Sequence, residues 1–196
     1  MAMNDLAHEI AATAARWVVE EGLAFGPAKH RALKELGLPS RTPLPANDVL
    51  ESEVMDYIAL FCADTQPQEL FALRALAKTW MQRLAEFRPQ VGGAVWQGWA
   101  TRLCDIDLAL FCDDPKSAEL ALINQNQRYE VQTVRGLHGD DVDVLSLHSF
   151  CQPLNEDVGV HLRIYDLDDL RGALLPDAQG RSPRGDLSAL ERLLAA

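Results

Sequence analysis

Apolar positions in the first ninety residues recur at the three- and four-residue spacing of helices. Leu6, Ile10, Trp17 and Val18 fall on one face, and Gly22 ends the run. Pro27 suits the first turn, and Gly37 the C-cap, of a short second helix. After a connector from Pro39 to Pro45, Asn47 or Asp48 caps a third helix with the stripe Leu50, Val54, Tyr57, Ile58 and Phe61. Thr65 and Gln68 have the form of a capping box, with Pro67 in the first turn. They precede a fourth stripe of Leu70, Leu73, Ala77, Trp80, Leu84 and Phe87.

The period changes after Pro89. Ile106, Leu108 and Leu110 alternate with Asp105, Asp107 and Ala109, which is the two-residue repeat of a strand. Asp114-Pro115 then opens a helix, as N-cap and first-turn proline, running to about Gln127. Tyr129 to Leu137 is the next strand expected, followed by a turn at His138 to Asp141. Val142 to His148 is a third strand, and Val158, Val160, Leu162 and Ile164 mark a fourth. A short helix over Leu167–Leu174, a Gly/Pro/Arg loop to Gly185 and a helix from Asp186 follow. The expected fold class is therefore α/β (α+β). Residues 1–88 form a helical portion, and residues 89–196 a mixed sheet of about four strands with flanking helices.

Charge narrows the range of partners. The chain carries a net charge of −11, and residues 91–196 hold 17 Asp and Glu against 9 Lys and Arg. Affinity for a nucleic-acid backbone comes mainly from Lys and Arg on phosphates, so a tRNA or DNA partner is not expected. No run approaches the roughly 18 to 20 apolar residues needed to cross a bilayer, and no signal peptide is visible. The expected location is the cytoplasm. The cysteines, Cys62, Cys104, Cys112 and Cys151, form no C-x-x-C pair and read as small apolar side chains.

The chemistry concentrates in Val91-Gly92-Gly93, a spacer of 11 residues, and Asp105-Ile106-Asp107-Leu108. Two residues apart on a strand, Asp105 and Asp107 point to one face, with Cα atoms roughly 6.6 Å apart. Carboxylates so placed converge on Mg²⁺ (or Mn²⁺), a hard cation that also takes phosphate oxygens from a substrate. Glycines let backbone N–H groups approach a phosphate closely.

In this order, at this spacing and on a strand followed by a helix, these residues resemble the nucleotidyltransferase superfamily built on the polymerase-β-like fold. Its pattern is a hydrophobic residue, Gly, Gly or Ser, a spacer of about ten, and Asp-hydrophobic-Asp. The match is close over Val91 to Leu110, loose to about Ile164, and absent from the helical first half. The resemblance implies that Gly92 and Gly93 hold a nucleoside triphosphate and that Asp105 and Asp107 bind the metal. It also implies a third carboxylate on a neighbouring strand, with Asp143 as candidate and Asp166 or Asp141 as alternatives. Arg102, the one cation between the glycines and the aspartates, is the natural phosphate partner. The chain departs from the pattern at Cys104, where relatives often have serine, and in the spacer, which holds Trp96 and Trp99.

Two other groups carry less weight. His138, His148 and His161 lack metal-site spacing and read as core or surface histidines. Arg181 and Arg184 lie in the Pro176–Gly185 loop, which could close over a phosphate but reads rather as a solvated loop. Three functions stay open. One is Mg²⁺-dependent transfer of a nucleotide to a hydroxyl of a small molecule or protein. Another is a degraded relative that binds a nucleotide or protein partner without turnover. The third is a structural module whose helical stripes make a homodimer surface.

Overall fold

A computed structural model describes residues 2–136, 139–173, 175, 176 and 180–195. The chain divides into two compact units, Met1–Pro67 and Gln68–Ala196. The first is three helices, α1 (Ala2–Glu21), α2 (Phe25–Glu35) and α3 (Asn47–Phe61). Ile10, Val18, Leu33, Leu50, Val54 and Ile58 are buried there, and so are Ala11, Ala14, Ala28 and Ala32, whose short side chains let helices approach closely. Gly22 (φ 66°) and Gly37 (φ 65°) follow the first two helices in the left-handed conformation that glycine adopts at no steric cost. Asn47 does not serve as a side-chain cap. Its carboxamide oxygen instead accepts from the buried Lys29 ammonium at 2.6 Å. Trp17 donates to Glu35 at 2.9 Å and lies under the Arg31 guanidinium, 3.7 Å from the ring centroid.

The second unit begins within α4 (Gln66–Arg83), so the break falls well before the change of period after Pro89. The physical reason is burial. Leu73, Ala77, Trp80 and Met81 of α4, and Leu84 just after it, belong to the core of the sheet that follows. That sheet has six strands among the described residues: β1 (Gln90–Gly92), β2 (Ile106–Cys112), β3 (Glu130–Arg135), β4 (Asp141–Cys151), β5 (Glu156–Asp166) and β6 (Arg184–Gly185). Their spatial order is β3-β4-β5-β2-β1-β6. The β2–β5 pair is parallel and the others are antiparallel, which makes the sheet mixed. Helices α5 (Gly93–Gln97), α6 (Pro115–Asn124), α7 (Leu170–Ala173) and α8 (Leu187–Ala195) complete the unit. Asp114 caps α6 as expected, accepting from the Lys116 N–H at 3.0 Å.

The four expected strands are present; β1 and β6 are additions, too short to show an alternation of their own. Leu137, His138 and Leu174 lie outside the described residues. Val91, Ile106, Leu108, Leu110, Leu145, Leu147, Val160, Leu162 and Ile164 carry one face of the sheet into the core with α4, α6 and α8. On the other face a smaller cluster is buried, with Phe111 and Tyr165 stacked at 5.6 Å, and Val144 is buried opposite Arg163. Much of that face is less covered than the helix side.

Trp96, a departure from the family pattern, has a structural use. Its indole N–H donates to the Ser182 carbonyl at 2.8 Å, and its ring lies against Gly185 so closely that a Cβ there would come within 2.1 Å. We predict that Gly185→Ala costs about 1 to 3 kcal/mol, because the ring has no room to retreat without disturbing β6. Urea denaturation measures it; an unchanged midpoint would show that the β6 segment moves freely.

Candidate functional site

Because Ile106, Leu108 and Leu110 face the core, Asp105 and Asp107 emerge together on the open face. The same alternation in β5 buries Val160, Leu162 and Ile164 and brings Gly159, His161 and Arg163 to that face. The parallel register sets Asp107 opposite His161 and Ala109 opposite Arg163. From the far side of β5, Ser146 of β4 stands opposite His161, and His148 opposite Gly159.

Each oxygen of Asp105 has a partner. Oδ1 accepts from the Gly159 N–H at 3.2 Å, and Oδ2 meets Nε2 of His161 at 3.0 Å. A Cβ at Gly159 would fall 2.5 Å from Oδ1, so glycine there lets the carboxylate lie against the strand. The other ring nitrogen of His161, Nδ1, meets the Ser146 hydroxyl at 2.8 Å, which fixes the imidazole at both ends. The hydrogen bond to His161 holds the Asp105 carboxyl below its ordinary range, against an opposing effect of burial, with the Gly159 amide and His148 assisting. The same bond raises His161 above its ordinary value, burial again opposing.

Asp107 is paired differently. Its Oδ1 accepts from the Arg163 guanidinium at 3.3 Å, with both side chains about two-fifths exposed. Its Oδ2 faces Gly93, where a Cβ would sit 3.1 Å away. Gly93 also has φ 62°, so a side chain there meets both crowding and backbone strain. Gly92, opposite Asp107 in the β1–β2 register, leaves room for Arg184, whose Cγ would lie 3.3 Å from an added Cβ. These residues line a cleft of about 440 Å³, with Gly92, Gly93, Asp107, Ala109, Arg163 and Arg184 on its walls. A larger open depression of about 880 Å³ lies over Asn126–Glu130, Ser146 and His148 and includes neither aspartate.

Asp105 and Asp107 thus share a face with Gly93 beside them, as the spacing requires. The candidates for a third carboxylate do not join them. In β4 Asp141 and Asp143 alternate in phase with Leu145 and Leu147, which are buried in the core, so they belong to the face turned toward the helices. Asp143 accepts from Thr133 at 3.2 Å there. Asp166 continues the Leu162–Ile164 side of β5 and accepts from the Asp168 N–H at 2.9 Å. Arg102 is not at the cleft. Its guanidinium grips Glu156 through two bonds of 3.1 and 3.0 Å. Sequence reasoning does not single out Arg163, and it reads His161 as a core or surface histidine and Arg184 as part of a solvated loop. The buried alternation Val158, Val160, Leu162, Ile164 already placed His161 and Arg163 on the opposite face, but nothing local showed that β2 would be its neighbour. His138 lies outside the described residues.

This donor set does not fit a shared divalent ion. Both oxygens of Asp105 are engaged, and Asp107 faces a guanidinium that does not deprotonate in proteins. Among the described residues, no three or more His, Cys, Asp or Glu side chains are grouped to hold a metal. No helix among the described residues is long and apolar enough to cross a membrane.

The structure is similar to that of the Cid1 poly(U) polymerase with MgGTP bound, at a TM-score of 0.37 and 16% identity over 53% of this chain and 36% of that one. It is likewise similar to the same polymerase with its short product ApU (TM-score 0.38, 16% identity, 59% and 38% covered). A cytoplasmic RNA terminal U-transferase gives a TM-score of 0.36 at 16% identity, over 56% and 36%. The chain therefore spans little more than a third of those structures. No family model and no curated protein sequence matches it.

A pH dependence follows from the Asp105–His161 pair, which also feels Asp107, Arg163 and His148. His161, raised from 6.5, contributes stability below that value and loses it as pH rises through its folded pKa. Asp105, lowered from 3.8, contributes above that value and loses it as pH falls through its folded pKa. We expect Asp105→Asn to be destabilising between these limits, by less than about 1 kcal/mol for so exposed a pair, and the difference to fade in alkali. Urea midpoints at acid, neutral and alkaline pH, with an imidazole NMR titration of His161, measure it. A His161 titration unmoved by the substitution would show that the pair does not form in solution.

Proposed function

We propose that residues 68–196 are a nucleotidyltransferase-like domain that binds a nucleoside triphosphate at Gly92, Gly93, Arg163 and Arg184 without transferring it. What carries this reading is the pairing of both expected metal carboxylates with cations of β5, Asp107 with Arg163 and Asp105 with His161. The cleft presents two guanidinium groups against one carboxylate, a balance suited to phosphate oxygens, which arginine contacts through parallel N–H donors. The glycine pair supports it, Gly93 by keeping a side chain away from Asp107 and Gly92 by leaving room for Arg184. The protein is read as acting in the cytoplasm.

A second reading, Mg²⁺-dependent transfer to a hydroxyl of a small molecule or protein, is favoured by one observation. Asp105 and Asp107 emerge on the same face next to Gly93. In that case Arg163 would have to leave Asp107 when metal and triphosphate arrive.

Asp107→Asn separates the two. For a binder, the substitution removes a negative charge from a phosphate site and tightens ATP binding by about 1 kcal/mol, or roughly five-fold. For a metal-dependent transferase, it weakens binding in magnesium and abolishes transfer. Thermal shift reads the outcome, since ligand at 100 times its dissociation constant adds about 2.7 kcal/mol. For a chain of this size that is roughly 5 to 11 °C. Weaker binding by the variant in magnesium would overturn the binder reading.

A further inference from the structure

Building on the nucleotide-binding reading, we infer that Arg163 stands where a divalent cation would stand beside Asp107, and that the cleft takes its phosphates without a metal ion. Three independent features of the cleft lead there. First, the register puts Arg163 opposite Ala109, a side chain small enough to leave the guanidinium a path along the sheet to Asp107 Oδ1 at 3.3 Å. Second, Asp105 is withdrawn from metal binding. The Gly159 amide and His161 take its two oxygens, and Ser146 holds the far side of the imidazole at 2.8 Å. An ion shared by the two carboxylates would have to compete with both arrangements and settle beside a group whose charge cannot be removed by losing a proton.

Third, the cleft supplies a second fixed cation facing the same space. Arg184 lines the same cleft, over the Tyr165 ring at 5.7 Å from the centroid. Its strand is held through the Trp96 indole on Ser182. Charge neutralisation of phosphate is what a metal ordinarily provides in such a cleft. Two guanidinium groups provide the same sign of charge with fixed direction, and they need no carboxylate cluster to retain them.

The test uses the full chain with two probes, Mn²⁺ alone and ATP. Calorimetric titration with Mn²⁺ should give no saturable binding attributable to Asp107. ATP affinity in EDTA should match that in magnesium within about two-fold. Arg163→Asp should gain a saturable Mn²⁺ site and lose at least about ten-fold in metal-free ATP affinity. Arg163→Gln, which keeps a hydrogen-bonding side chain without the charge, should lose ATP affinity without gaining Mn²⁺; circular dichroism checks that both variants fold. A wild-type Mn²⁺ site removed by Asp107→Asn would overturn the inference, as would ATP binding seen only with magnesium, which leaves nucleotide binding itself intact. No ATP binding in either buffer would overturn the nucleotide reading and the inference with it.

Discussion

The parallel ladder between β2 and β5 is the contact from which the rest of the site follows. Hydrogen bonding between these strands fixes which residues of β5 stand beside Asp105 and Asp107, and a shift of one residue would send His161 and Arg163 to the buried face. Burial of Ile106, Leu108 and Leu110 against Val160, Leu162 and Ile164 opposes any such shift. The polar chemistry of the open face is thus positioned by the apolar chemistry of the hidden one. Once the register is set, two carboxylates and two basic side chains meet on that face.

Glycine completes this placement at two positions, each for a different reason. Gly159 gives Asp105 a place to lie on the strand, where any Cβ would overlap the carboxylate. Gly93 combines positive φ with a close approach to Asp107, so both backbone and space exclude a side chain. Trp96 acts one layer out. It clamps the short strand that carries Arg184, which is how a residue outside the family pattern comes to shape the cleft.

The charge of the chain reads differently in this light. The second half is acidic overall, and part of that acid is matched locally. Glu156 meets Arg102, Glu119 meets Lys116, and the two aspartates of the open face meet His161 and Arg163. What reaches the cleft is a local excess of guanidinium inside an acidic protein. Net charge describes the long-range field of the molecule, whereas a bound phosphate responds to groups within a few ångströms.

Periodicity and local end signals determined the helices of the first unit, the four principal strands and the shared face of Asp105 and Asp107. Those features depend on neighbours within one turn or one strand, and local spacing records them. Gly22, Gly37 and Asp114 announced helix ends by the same local logic. Only the tertiary structure decided that β5 lies beside β2, and therefore that Arg163 and His161, not Asp143, stand next to the acidic pair. Asp143 sits at the head of its strand as expected, yet its face is set by Leu145 and Leu147, which turn to the core. It likewise assigned α4 to the sheet's core, turned Arg102 to Glu156, and brought Arg184 to the cleft from the Pro176–Gly185 loop. Strand order and register join residues more than fifty positions apart, and no pattern within a single segment encodes which distant segment it will meet.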